Sequence, residues 1–360
     1  RQMCIRDSDK GIPSFGLLED LVFPGTELSS VLFERSSDAS LSFTAEGKTL
    51  NLQPLRRDDK IKQGLEINFD VTADRIVIGP TLSFSGALKG NARPDGNGAA
   101  NLQGALYVHS NALISEASLQ TRFGPDGEYL TGVGLIGGAE ADLSYTPNQE
   151  GGARLVIQSE KAGRVLAGLS VTDAVRQGRL HMQTDFATAD FKRYTTTFNI
   201  DDFVVIEAPT AVRMFSVLSL AGLYGLVEGE GTAFARGHAI IHSNGDIHNL
   251  ELVQASGSAL GISLLGTVDK KQRVLDVSGN LIPAKLISNI IGSVPLVAEI
   301  LTGIDRTGLF VTQFSMQGSI DDPEVDVNAL ALVPGLLRDI FSPNWLGEER
   351  DRIFGVEGAN

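Results

Sequence analysis

"GLEINFDVTAD", Gly64 to Asp74, reads in two interleaved registers. Leu65, Ile67, Phe69, Val71 and Ala73 fall on one side, and Glu66, Asn68, Asp70, Thr72 and Asp74 on the other. Strand side chains alternate between faces with a period of two, so this is a strand with one apolar and one wet face. The pattern recurs outward along the chain. In "TLSFSGALKG" (81–90), Leu82, Phe84 and Leu88 oppose Thr81, Ser83 and Ser85. "ALGISLLGTVD" (259–269) carries it through Ile262 and Leu264, and "FVTQFSMQGSI" (310–320) through Phe310, Phe314, Met316 and Ile320. Turn signals part the runs: "RPDGNG" at 93–98, "GPDGE" at 124–128 and "SNGD" at 243–246. The expectation is a mainly β protein of about a dozen to eighteen antiparallel strands.

Composition agrees. A hydrophobic content of 42% over 360 residues supports a sizeable core, and 40 glycines favour turns, bulges and strand ends. The formal net charge of −14, with no Lys/Arg cluster, repels phosphate backbones and anionic headgroups, so no nucleic-acid partner is expected. Cys4 is the one cysteine, which rules out an internal disulfide. It lies in "RQMCIRDS" (1–8), which resembles translated adaptor sequence and is read as non-native.

Three segments depart from alternation. "SEKAGRVLAGLSVTDAVRQG" places Val165, Leu166 and Leu169 at helical spacing behind Ser159 as cap, a helix near 160–170. A second helix is expected over 210–227, where Met214 to Val227 carry no charge and Phe215, Leu218 and Leu223 are its apolar candidates. A third is expected over 284–302, where Ile287, Ile290, Ile291, Val294 and Leu301 share one helical face. Each is shorter than the about 20 apolar residues that span a bilayer. Leu337 and Phe341, in "VPGLLRDIF", suggest a further short amphipathic piece, and 344–360 reads as a polar tail.

Motifs for chemistry fail on context. "GVGLIGG" (132–138) matches G-x-G-x-x-G, but alternating "AEADLSYTP" follows it where a dinucleotide fold needs a helix. His238 and His242 are four apart in a strand, about 13 Å by strand rise, too far to share one metal; His242 and His248 flank a turn. In "SIDDPEVDVN", Glu324, Asp326 and Asn328 alternate with Val325 and Val327, the pattern of a solvated strand face, not of a calcium loop. No nucleophile elbow, Walker loop or H-E-x-x-H occurs. The chain is expected not to be an enzyme and to need neither cofactor nor metal.

From residue 159 to residue 343 the order of motifs resembles the C-terminal region of the YhdP branch of the AsmA-like bacterial envelope proteins. The likeness begins with Ala162, Gly163, Leu166, Leu169, Gly178 and Leu180, and continues through Pro209, Leu218, Gly222, Gly229 and Gly231. Gly261, Gly266 and Asp269 follow, then Pro283, Asn289, Gly292, Pro295 and Gly303, and finally Pro323, Asn328, Pro334, Gly335, Leu336, Arg338 and Phe341. Lys161, Gln177 and Ala329 depart from it, standing where the family tends to have an acid, a glycine and a proline. The first half, 9–158, is similar in style alone.

The resemblance implies a long curled antiparallel sheet forming an apolar groove, with a few short amphipathic helices. It implies the periplasmic part of an inner-membrane-anchored protein that conducts phospholipids to the outer membrane. Its partners would be phospholipid acyl chains, the inner and outer membranes and other envelope proteins. Physical chemistry supports a trough, since carrying a palmitoyl-sized tail through water costs about 12 kcal/mol. Groove candidates are Leu65, Ile67, Phe69, Val71, Leu82, Phe84, Leu88, Ile262, Leu264, Phe310, Phe314 and Met316. The helices at 210–227 and 284–302, with Leu337 and Phe341, would close the trough's end or meet a membrane. Two rivals are an envelope assembly factor of the TamB type and a structural β-protein with a dry core.

Overall fold

The computed structural model describes residues 3–9, 12–36, 40–52, 66–78, 82–108, 111–148, 151–188, 191–206, 231–258, 260–283 and 312–328. Within them the chain is mainly β, and it divides into two units, 1–191 and 192–360. The expected helices at 210–227 and 284–302 lie outside the described residues.

The first unit holds twelve strands: β1 (Met3–Asp9), β2 (Ile12–Phe23), β3 (Thr26–Arg35), β4 (Ser40–Asn51), β5 (Glu66–Val77) and β6 (Leu82–Ala92), then β7 (Gly98–Val108), β8 (Asn111–Gly124), β9 (Gly127–Ile136), β10 (Ala139–Pro147), β11 (Ala153–Ser159) and β12 (Val175–Phe186). Each pairs with its successor in sequence. All pairings are antiparallel except β4 with β5, which run parallel. β1 overlaps the stretch 1–8 read as non-native and ends one residue beyond it, and it pairs with β2 from Met3 opposite Leu18 to Asp9 opposite Ile12. The sheet is curled, with its apolar face inward.

The curl has a visible cause. Gly47, Ala73, Gly86, Gly104 and Ala117 sit opposite one another on five successive strands, a crease of small residues across β4 to β8. On one side lie Ala45, Val71, Leu88, Leu102 and Leu119; on the other lie Leu50, Ile76, Phe84, Leu106 and Ile114. Both rows are buried, Ile76 and Phe84 with no exposure at all. Bulges flank the crease between Ala73 and Ile76, between Gly104 and Leu106, and between Ser115 and Ser118, and a bulge both bends a strand and sharpens its twist. The β5 bulge also switches parity. Inward residues are odd-numbered to Ala73 and even-numbered from Ile76, so the alternation of "GLEINFDVTAD" does not extend unbroken to the strand's end.

The unit's helix, α1 (Ala162–Gly168), lies against β12 and reaches β9 and β10, with Val165 and Leu166 buried beneath it. It is shorter than the helix expected at 160–170, and Ser159 is not its cap. Ser159 ends β11, where its hydroxyl donates to the Glu140 carbonyl and accepts from the Lys161 N–H; Lys161 takes the N-cap position without a side-chain bond. The helix stops at Ser170, whose left-handed φ of 57° lets the Val171 N–H close back on the Leu166 carbonyl.

The second unit holds β13 (Arg193–Val205), β14 (Thr232–Asn244), β15 (Ile247–Ser256), β16 (Leu260–Asp269), β17 (Val274–Pro283), β18 (Thr312–Ser319) and β19 (Pro323–Asn328), each antiparallel to the next. Its core centres on Val277, Leu281, Phe314 and Met316, with Leu250, Ile262, Leu264 and Val327 half-buried against them. The β14–β15 and β15–β16 registers slip around Glu251, beside Gly266 at φ +144°. Among the described residues no helix is long and apolar enough to cross a membrane.

Candidate functional site

The inward face is organised in rows that run across the strands. In the first unit one row passes through Leu18, Val31, Ala45, Val71, Leu88 and Leu102, then Leu119, Gly132, Leu143, Ile157 and Met182. It crosses eleven strands without a charged or polar side chain. At about 4.8 Å per step this is about 48 Å of continuous hydrocarbon. A neighbouring row runs through Phe33, Phe43, Phe69, Gly90, Ala100 and Thr121 to Leu130, Tyr145 and Leu155. Its large members are half-buried, and Phe43 and Phe69 are 6.1 Å apart between ring centroids. Burial raises the pKa of the Tyr145 phenol, which stays neutral.

In the second unit Phe198, Ala239, Val253, Leu264, Gly279, Phe314 and Val327 form one row, and Thr196, Ile241, Leu250, Gly266, Val277, Met316 and Val325 form the next. No charged residue interrupts either. At their margin His248 pairs with Ser243, its Nδ1 2.8 Å from the Ser243 Oγ. Burial, assisted by Lys270 and opposed by Asp246, lowers the imidazole pKa, so at neutral pH it adds no charge to this face.

The expected groove residues separate into three groups. Ile67, Phe69, Ile262 and Leu264 lie on the inward face, Phe69 and Leu264 in the rows above, and remain half-buried, open to a ligand. Val71, Phe84, Leu88, Phe314 and Met316 lie on the same face but are sealed, from no exposure at Phe84 to 9% at Leu88 and Met316. They form the walls and floor, not the contact surface. Leu82 begins β6, and its side chain lies outside the described residues. Leu65, Phe310, Phe215, Leu218, Leu223, Ile287, Ile290, Ile291, Val294, Leu301, Leu337 and Phe341 also lie outside them. Phe33, Phe43, Leu130, Leu155 and Val327 join the half-buried surface without having been singled out in the sequence. The alternation in "TELSSVLFER" (Thr26–Arg35) and "SLSFTAEGKTLN" (Ser40–Asn51) carried the signal for the first two.

Residues weighed for other chemistry have structural surroundings. Gly137 and Gly138 of "GVGLIGG" make the β9–β10 turn, and a strand follows. His242 bonds Thr195 (2.9 Å) and Glu251, while His238 Nδ1 lies 2.7 Å from Asn199 Oδ1. Asp321 is gripped by both oxygens in an Arg273 fork (2.6 and 2.7 Å), which holds its carboxyl below the usual range. Among the described residues no group of three or more His, Cys, Asp or Glu is placed to hold a metal. Comparisons of the chain with protein-family models, curated proteins and solved structures each find no match.

Proposed function

We propose that this chain is part of a conduit for lipid acyl chains, which lie along the inward rows with headgroups in water. The supporting observation is the continuity of uncharged rows across consecutive strands: eleven in the first unit and seven in the second. Such a row would be unnecessarily long for one bound tail. A phospholipid tail reaches about 15 Å, half the hydrocarbon thickness of a bilayer, against about 48 Å and about 29 Å for the two rows. A tail moving along a row exchanges one apolar contact for the next, so the about 12 kcal/mol cost of full exposure is never met at once. The half-buried Phe33, Phe43, Phe69, Leu130 and Leu155 in the first unit, and Ile262, Leu264 and Val327 in the second, are the contact surface. The cellular setting proposed with it is the periplasm, between inner and outer membranes, as the AsmA-like resemblance implies. Conduction needs no catalytic residue and no cofactor.

Native mass spectrometry of the protein, purified from cells and then incubated with phosphatidylethanolamine–phosphatidylglycerol vesicles, tests this. Lipid adducts are expected on the wild-type chain. Phe43→Glu together with Phe69→Glu should lower the number of bound lipids, the second unit's row being untouched, while leaving the far-ultraviolet circular dichroism of a β protein. Charges at the sealed Phe84 or Phe314 would unfold the chain and decide nothing. A lipid-free wild-type protein, or a double variant that loads normally, overturns the conduit. A lipid-free chain that captures extended peptides would favour the assembly-factor reading.

A further inference from the structure

The opposite, wet face of the first unit carries a second concavity. A trough of about 830 Å³ runs across β4 to β9, lined by two complete outward rows and, between them, by Phe43, Phe69, Gly90, Ala100 and Thr121. One row is Ser42, Asn68, Asn91, Ala99, Arg122 and Tyr129; the other is Thr44, Asp70, Lys89, Asn101, Gln120 and Thr131. Ala99 leaves the middle of its row low. Eight of the twelve residues offer a neutral amide or hydroxyl (Tyr129 among them), so hydrogen-bond donors and acceptors recur at each strand step of about 4.8 Å.

The charges are arranged unevenly. Asp70 and Lys89 neutralise each other at 2.9 Å. The Arg122 guanidinium lies over the Tyr129 ring, 5.9 Å from its centroid, and has no carboxylate partner among the described residues. The trough therefore carries one net positive charge on a chain whose net charge is −14.

Ligand classes can be weighed against this lining. An acyl chain would have to cover the amides, hydroxyls and charges of both outward rows, a desolvation cost that Phe43, Phe69 and Ala100 between them do not offset. Nucleic acid is repelled by the whole-chain charge. An extended peptide advances about 3.3 Å per residue, out of step with the rows, and its backbone is served better by a sheet edge. A linear glycan fits: its hydroxyls recur at roughly the spacing of the strands, and each sugar can bond an amide or hydroxyl. A uronate carboxylate suits the planar fork of Arg122, which binds carboxylates through two parallel bonds.

The geometry points to a binding site for a linear, otherwise neutral oligosaccharide of five to six sugars along β4–β9 that carries one uronate, its carboxylate on Arg122. The five strand steps span about 24 Å. The apolar row through Phe43, Phe69, Gly90, Ala100 and Thr121 also borders this trough, but the sugars are held by the polar rows and Arg122, whose substitution tests the site without touching lipid conduction.

Isothermal titration of the full 360-residue chain with cellohexaose oxidised at one C6 to a single uronate, and with cellohexaose itself as the neutral counterpart, tests it. The acidic hexamer is expected to bind about tenfold or more tighter. Arg122→Gln should erase that preference, while Asn68→Ala and Gln120→Ala each weaken both ligands about fivefold. All three positions are on the wet face, so circular dichroism should be unchanged. The site is overturned if neither hexamer binds at millimolar concentration, if the two bind equally, or if the three substitutions leave binding intact.

Discussion

Gly104 and its cross-strand partner Gly86 show how single atoms set the curvature of the sheet. Both have positive φ, +155° and +129°, and a methyl at Gly104 would run into the Ser85 carbonyl oxygen. Gly104→Ala is expected to cost about 2–3 kcal/mol through strain and backbone clash, read as a loss of unfolding free energy in urea. The glycines were legible in the sequence as a composition, but nothing local marked these two as a facing pair; register alone does that. His181 carries a different prediction. It is buried on β12 with its Nδ1 2.9 Å from Gln158 Nε2, and burial lowers its pKa. The unfolded chain takes up a proton near the ordinary value of about 6.5, while the folded chain resists until lower pH. Between those values the unfolded state binds more protons, so stability falls as pH drops through the window and is flat above it. The urea midpoint should fall between pH 7.5 and pH 5, and fall less in His181→Gln.

Elements were the most legible scale. Period-two alternation located β5, β6, β16 and β18, and the Pro-Asp-Gly and Asn-Gly signals located the β6–β7, β8–β9 and β14–β15 turns, because both arise from local backbone geometry. Bulges escaped this reading: Asp74 and Arg75 look like ordinary strand residues, and only the partner strand shows that both oppose Ser85. The helix start was misplaced for a related reason. Ser159 has the chemistry of a cap, but its hydroxyl is engaged by Glu140 on β10, a partner distant in sequence. What makes α1 a helix in this fold is burial more than capping, since seven residues are too few to persist alone. Leu166→Ala should therefore cost about 3 kcal/mol, measured by chemical denaturation, and should release the segment between β11 and β12 to early proteolysis.

For the whole molecule, the sequence led to a mainly β, curled sheet, and that is the architecture found in each unit. It did not reveal how much of the apolar face is sealed. Alternation identifies which side chains point inward, yet Phe84 and Phe69, two strand neighbours with the same pattern, end fully buried and half-buried. Their difference depends on distance from the crease, a property of five strands together. This sorting decides where the lipid-loading test belongs. Substitutions at the margin, Phe43 and Phe69, report on binding, while those near the crease report on folding.

The one parallel pairing, β4 beside β5, has a consequence for how the sheet assembles. Every other pairing in the first unit joins strands that follow directly in the chain and run antiparallel, so a growing polypeptide can zip them as they emerge. Strand β5 begins at the same rim as β4, so this one join needs a crossover in place of a turn. A parallel join cannot be made by a tight turn, so it forms later than the hairpins on either side. The first unit is thus divided into two blocks, β1–β4 and β5–β12, that are able to form early, and their seam is the step that sets the pace of its folding.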